Sequence, residues 1–114
     1  VERHERRATG TGIAGRAVYG ISKGGIVQMT RMLATEWAPL GIRVNAVAPA
    51  TVLTPSRAQL LADPQVRAQM LARIPLGRFP TAEEIAEAVC YLASDAASFL
   101  TGQVIELDGG WFMH

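Results

Sequence analysis

Apolar side chains at Ile26, Met29, Leu33 and Trp37 recur at helical spacing and predict a helix over residues 19–38 with one apolar stripe. Pro39 and Gly41 end it. Gly20, Gly24 and Gly25 fall in its first turns, and each costs up to about 1 kcal/mol of helix propensity relative to Ala. That cost implies a close backbone approach by a ligand or a neighbouring element. Residues 42–48, Ile-Arg-Val-Asn-Ala-Val-Ala, read as a strand. Pro49 stops it, because Pro cannot donate to a sheet ladder. Helix, short turn, then strand is the return half of a parallel βαβ unit.

Residues 50–55 read as a loop and 56–74 as one or two short helices, broken at Asp63-Pro64. Leu60, Leu61, Val66, Met70, Leu71 and Ile74 are their apolar contribution. Pro75, Gly77 and Pro80 mark a second loop. Thr81 with Glu84 forms a capping box, and Ile85, Ala88, Val89 and Leu92 follow at helical spacing. Residues 94–102 connect to a last strand at 103–107, and Asp108-Gly109-Gly110 turns out of it. The fold class is α/β. Two parallel strands flanked by helices do not make a stable sheet by themselves, so the pattern calls for further strands from upstream sequence or from another chain.

A chain of 114 residues is bounded to one domain. It is 49% hydrophobic and 18% charged, which argues against disorder. A net charge of +1 gives no electrostatic case for nucleic acid or an anionic membrane surface. No apolar run approaches the roughly 18 residues of a membrane span. The first seven residues are almost all charged and lack the apolar core of a secretory signal, so residues 1–9 read as a solvated tail. Cys90 is the only cysteine. Between Val89 and Tyr91 it reads as a buried small hydrophobe, in keeping with the reducing cytoplasm.

Tyr19 and Lys23 carry the candidate chemistry. Four residues apart on a helix, they share a face about 6 Å apart along the axis. A free phenol is a poor base at neutral pH, but a neighbouring ammonium stabilises phenolate. A Tyr so placed can take a proton from an alcohol or give one to a developing alkoxide. Spacing alone is weak support, since such pairs are common on helix surfaces. Gly10-x-Gly12-x-x-Gly15 fits the dinucleotide fingerprint as a string. It lacks the preceding strand, though, and Glu36 falls inside a helix, so it reads as a loop coincidence. His4 and His114 lie at opposite ends and offer no metal cluster with Cys90.

Context sharpens the Tyr–Lys pair. Tyr19-Gly20-Ile21-Ser22-Lys23-Gly24-Gly25 resembles the active-site helix of the short-chain dehydrogenases/reductases. The resemblance continues through Leu33-Ala34-Thr35-Glu36-Trp37-Ala38, the run from Gly41 to Pro49, and Pro75-Leu76-Gly77-Arg78. It resumes at Glu83-Glu84-Ile85-Ala86, 89–94, Leu100-Thr101-Gly102-Gln103 and Leu107-Asp108-Gly109-Gly110, in the family's order. Members similar to 3-oxoacyl-carrier-protein reductases and to sugar or polyol dehydrogenases are nearest in pattern. The resemblance implies the C-terminal part of a Rossmann-type doubly wound parallel sheet. It also implies an NAD(P)-dependent oxidoreductase interconverting a secondary alcohol and a ketone.

On that resemblance Tyr19 is the general acid/base, and Lys23 assists it and holds the nicotinamide ribose of NAD or NADP. Pro49, Val52 and Thr54 belong to the loop that holds the carboxamide. Residues 56–74, in a region reaching to 80, form a substrate lid with Arg57 and Gln59 as substrate contacts. The family has Gly after the Pro where this chain has Ala50, which would be strained if that position needs a positive φ. The family's catalytic Ser precedes the Tyr, at a stretch occupied here by Glu5, Arg6 and Arg7; Thr9 and Thr11 lie too close to Tyr19 to replace it. The glycine-rich phosphate loop and the residue that chooses between NAD and NADP belong to a preceding half of the fold. The family's homodimers or homotetramers imply that the helix at 19–38 packs across a two-fold axis. Beside the working oxidoreductase stand two alternatives, a catalytically silent remnant and an interaction module using the same dimer surface.

Overall fold

The computed structural model describes residues 15 and 17–111, which divide into two compact units. The first takes the chain up to Ala46 together with Ala97–Ile105, and the second takes Val47–Ala96 and the chain from Glu106 onward. Two strands, β1 (Ala46–Pro49) and β2 (Val104–Leu107), run through both. Ala46 N–H donates to the Gln103 carbonyl at 2.9 Å and Ala50 N–H to that of Leu107 at 3.0 Å. Both partners advance together, so the strands are parallel. The even-numbered residues of β1 turn their N–H groups to β2. Pro49, which has none, meets the opposite edge and costs the ladder nothing.

In the first unit, helix α1 (Ala17–Trp37) is followed by a 3-10 turn, Ala38–Leu40. Gly41, at φ 74°, donates to the Ala38 carbonyl at 3.0 Å, and Ile42 N–H reaches back to that of Trp37 at 3.2 Å. This is the Schellman closure that a left-handed glycine permits. The sequence placed the apolar seam of this helix at Ile26, Met29, Leu33 and Trp37. The structure instead buries Val27, Thr30 and Ala34, leaving Met29 54% and Ile26 42% exposed. Helical spacing fits either stripe, and packing selects the one with small side chains. Ala34 lies where a Cβ on Gly102 would come to 3.4 Å, and no bulkier face fits there.

The strand expected from residue 42 begins only at Ala46. Residues 42–45 are bonded by side chains and loop backbone instead. Arg43 donates to the Leu100 carbonyl at 3.2 Å, the Thr101 hydroxyl accepts from Val44 N–H at 3.1 Å, and Gly102 N–H donates to the Val44 carbonyl at 2.7 Å. The Asn45 amide donates to the Leu100 carbonyl and accepts from Gln103 N–H. Gly102 (φ 72°) bends the facing chain away from strand geometry here, so side chains take over what a ladder would satisfy.

In the second unit, α2 (Pro55–Leu60) and α3 (Pro64–Leu71) are the short helices expected at 56–74, broken at Asp63-Pro64, and α4 (Ala82–Ala93) follows. Thr54 and Asp63 cap the first two, accepting from Arg57 and Gln65 N–H, with Pro in the first turn of each. Leu61, Ile74 and Phe79 form the buried cluster, with Val66, Met70, Leu71 and Trp111 packed against it. α4 starts on the full capping box read from sequence: Thr81 Oγ1 accepts from Glu84 N–H, and the Glu84 carboxylate accepts from Thr81 N–H. Arg78 grips the same carboxylate with two bonds, at 2.6 and 2.9 Å. This guanidinium and the Thr81 backbone hold Glu84 well below the usual 4.5, at about 2. Cys90 is exposed, not buried. Leu92 is buried on α4, with Ala88 and Ile85 half-buried one and two turns before it, and Cys90 projects from the opposite side.

Ala50 carries no strain, because no described residue other than glycine has a positive φ. Ala50→Gly should therefore lower stability, by about 0.4–1 kcal/mol through added unfolded-state entropy, and a urea titration showing a gain would contradict this. Thr81→Ala should cost about 1 kcal/mol in the same measurement. The depressed Glu84 value stabilises the fold fully above its unfolded value near 4.5, and that contribution disappears as pH falls towards about 2. The gap in urea midpoint between wild type and Glu84→Gln should close over that window and stay constant above it.

Candidate active site

Tyr19, Lys23, Val27, Thr30 and Ala34 follow one another at i, i+4, i+8, i+11 and i+15 along a single stripe of α1. The last three are buried, while Tyr19 and Lys23 are exposed. The packing that seats the lower helix in the first unit therefore also sets the direction in which the pair projects. Lys23 Nζ stands over the Tyr19 ring, 5.5 Å from its centroid. An ammonium at that distance is attracted by the ring face. The buried Thr30 hydroxyl donates to the Ile26 carbonyl at 2.8 Å, which leaves the stripe without an unsatisfied group. Ser22 Oγ donates to the Tyr19 carbonyl at 2.8 Å, so this hydroxyl is spent on the helix backbone. A cavity of about 350 Å³ opens beside Gly15, Ala17, Val18 and Tyr19. At Gly20 and Gly25 no described atom beyond the chain neighbours and the local helix backbone lies within 4 Å of where a Cβ would stand. The close approach by a neighbouring element that their helix cost implied is thus not made there by any described residue.

The second unit holds the other residues read as functional. Pro49 closes β1 and is exposed, Val52 is half-buried, and Thr54 is exposed at the start of α2. Thr54 N–H donates to the Val52 carbonyl at 3.0 Å, tying the two residues into one tight turn. The Thr54 hydroxyl accepts from Arg57 N–H at 3.3 Å and lies 3.1 Å from Ser56 Oγ. Thr54 thus has a capping duty that the sequence reading did not assign. Arg57 is half-buried and Gln59 exposed on α2. A cavity of about 460 Å³ in this unit, bordered by Ile74, Leu76, Ile85, Glu87 and Glu106, includes none of them.

The structure brings Tyr19 and Lys23 together, and separately Val52 and Thr54. Glu5, Arg6, Arg7, Thr9, Thr11 and the first two glycines of the fingerprint-like string lie outside the described residues, as do His4 and His114. Gly15 forms a turn at φ 80°. Asn45 was missed as a structural residue; an amide inside a mostly apolar strand run was the available signal, since a polar group there must find partners. Among the described residues no three of His, Cys, Asp and Glu converge on a metal site, and no helix is long and apolar enough to cross a membrane. The donor set on α1 fits the ribose and nicotinamide end of a dinucleotide: an exposed phenol and an exposed ammonium on one face, four N–H or O–H donors in all.

Comparison with known proteins gives this arrangement its context. Residues 7–112 match the family model described as Enoyl-(Acyl carrier protein) reductase. 2-(S)-hydroxypropyl-CoM dehydrogenase 3 of Xanthobacter autotrophicus is 47% identical over 103 residues, covering 87% of this chain and 40% of that protein. The inactive 2-(S)-hydroxypropyl-CoM dehydrogenase 2 of the same organism is 48% identical over 103 residues, covering 87% and 45%. The NADP-bound crystal structure of a candidate NAD(P)-dependent gluconate 5-dehydrogenase from Beutenbergia cavernae superposes with a TM-score of 0.81 at 48% identity, covering 86% of this chain and 39% of that one. The chain thus spans about two fifths of the length of the curated relatives it matches. The chain belongs to the short-chain dehydrogenase/reductase family.

Proposed function

We propose that this chain carries the proton-transfer and nicotinamide-facing part of an NAD(P)-dependent oxidoreductase that interconverts a secondary alcohol and a ketone. The observation that carries the reading is the Lys23 ammonium standing 5.5 Å over the Tyr19 ring, both groups exposed on the stripe that seats α1. NAD or NADP supplies the hydride chemistry when bound. In the reducing direction the Tyr19 O–H gives its proton to the carbonyl oxygen as that oxygen becomes an alkoxide; in oxidation it takes the proton back from the alcohol. Lys23 offsets the charge left on the phenolate and donates to ribose hydroxyls. Val52 backbone and the Thr54 hydroxyl are assigned to the carboxamide, and Arg57 and Gln59 to the substrate. Support for each comes from its match to the family's pattern.

Val18, Ile21, Met29 and Met32, all at least half exposed, lie on α1 away from the Tyr–Lys stripe. We assign that face to a homodimer or homotetramer contact, because contiguous apolar surface of this kind marks an interface. With one cysteine and a charge of +1, the protein is placed in the reducing cytoplasm, with no nucleic-acid or membrane partner. A second reading, a silent chain that retains only the interface, is favoured by the inactive relative at 48% identity.

Tyr19→Phe should leave NADPH binding, read by fluorescence, within about threefold of wild type while lowering alcohol oxidation by about 10²–10⁴-fold. Lys23→Gln should weaken NADPH binding by about tenfold through the lost ribose bonds. Turnover that survives Tyr19→Phe would refute the acid/base role. A defined oligomer without NADPH affinity would establish the interaction module.

A further inference from the structure

The segment expected to act as one lid is held in two very different ways. Neither α2 nor α3 buries a residue of its own; Leu53, just before α2, and Leu60, its last residue, are 48% and 49% exposed. The backbone bonds at the two ends of α2 are local, from Ala58 N–H to the Thr54 carbonyl and Leu61 N–H to that of Arg57. α3 is tied on several sides. Leu61, which also caps the end of α2, and Ile74 are both 3% exposed, and Val66, Met70 and Leu71 of α3 pack on the cluster they form with Phe79. The Arg67 guanidinium lies 5.5 Å over the Phe79 ring, and that of Arg73 lies 5.9 Å over Trp111. Just beyond α3, Leu76 N–H donates to the Gly109 carbonyl at 3.1 Å. Gly109, at φ 61°, is pressed so close that a Cβ would stand 2.7 Å from Ile74 Cγ2. The turn 108–111 is therefore seated directly on the root of α3.

Local opening follows buried apolar contact and protected bonding. By that measure the two halves of the segment do not move together. We propose that the moving lid is residues 51–60 alone, hinged at 61–63, and that α3 is a fixed post locked in place by the turn 108–111 through Trp111 and Gly109. Asp63 is extended (φ −72°, ψ 116°) ahead of Pro64, which keeps the junction non-helical and separates the rigid part from the mobile one. Arg57 and Gln59 travel with the lid; Arg67 and Arg73 do not. The functional meaning of this division rests on the oxidoreductase reading above, but its mechanics do not.

Amide hydrogen exchange on the 114-residue chain tests it without reference to catalysis. Amides of 55–60 should exchange at least about tenfold faster than those of 66–74. Trp111→Ala should accelerate 66–74 by about tenfold and leave 85–92 of α4 unchanged. Arg73→Gln, which keeps the apolar cluster intact, should accelerate the same amides by a smaller factor and guards against general unfolding of the first variant. Equal exchange across 55–74, or protection of 66–74 untouched in both variants, overturns the proposal. A chain that shows the divided exchange yet never oxidises an alcohol would refute the oxidoreductase reading and leave the divided lid standing.

Discussion

The parallel pairing of β1 with β2 is the constraint from which the rest of the described structure follows. In the first unit its anchor is the bond from Ala46 to Gln103, braced by the Asn45 amide, which holds Gly102 where Ala34 can pack on it. In the second unit its anchor is the bond from Ala50 to Leu107. That bond launches two segments from neighbouring strand ends, the loop 50–54 and the turn 108–111. The first carries Val52 and Thr54, and the second grips the root of α3. A slip of the register by one residue would exchange inward and outward side chains along both strands. It would also remove Gly102 and Gly109 from the two positions where a Cβ is barely tolerated or excluded.

The same economy shows on α1. One stripe buries Val27, Thr30 and Ala34 and continues upward into Lys23 and Tyr19, so orientation of the chemical pair needs no separate device. The small residues of the stripe allow close seating, and the large apolar residues are turned elsewhere. The exposed Val18, Ile21, Met29 and Met32 are thus a consequence of using the small-residue face for packing. A helix with apolar residues on more than one face needs a second partner, which is the physical basis for assigning that face to self-association.

Local chemistry made much of this legible in the sequence. The Thr81–Glu84 box, the Pro39–Gly41 helix end and the break at Asp63-Pro64 are decided within a few residues, and all three stand in the structure. The Tyr19–Lys23 pairing is likewise local, since i and i+4 must share a face. What could not be read depended on partners distant in the chain. Two stripes of α1 satisfied the same periodicity, and only Gly102, far along the sequence, chooses between them. The burial expected for Cys90 followed from its apolar neighbours, whereas its position around α4 turns it outward. Trp111, just after the turn, carries no local signal of a packing role. Its cation–π contact with Arg73 and its place on the Leu61 cluster exist only in three dimensions.

The chemistry available to the pair can be bounded. General acid/base catalysis supplies about 10²–10⁴-fold, and a preorganised donor to the developing oxyanion supplies about 10²–10³-fold more. The first contribution is the one proposed for the Tyr–Lys helix. The second needs a hydroxyl or N–H aimed at the substrate oxygen. Ser22, the hydroxyl nearest in sequence on the same helix, donates to the Tyr19 carbonyl instead. At the stretch where the family resemblance puts its Ser, the sequence has Glu5, Arg6 and Arg7. A carboxylate there would oppose negative charge on the substrate oxygen, while an Arg could donate to it. Close similarity both to 2-(S)-hydroxypropyl-CoM dehydrogenase 3 and to the inactive dehydrogenase 2 is therefore no contradiction. On the proposed reading the shared region supplies proton transfer and cofactor contact, and the rate depends on which group, in this chain or beside it, meets the oxygen that Tyr19 protonates.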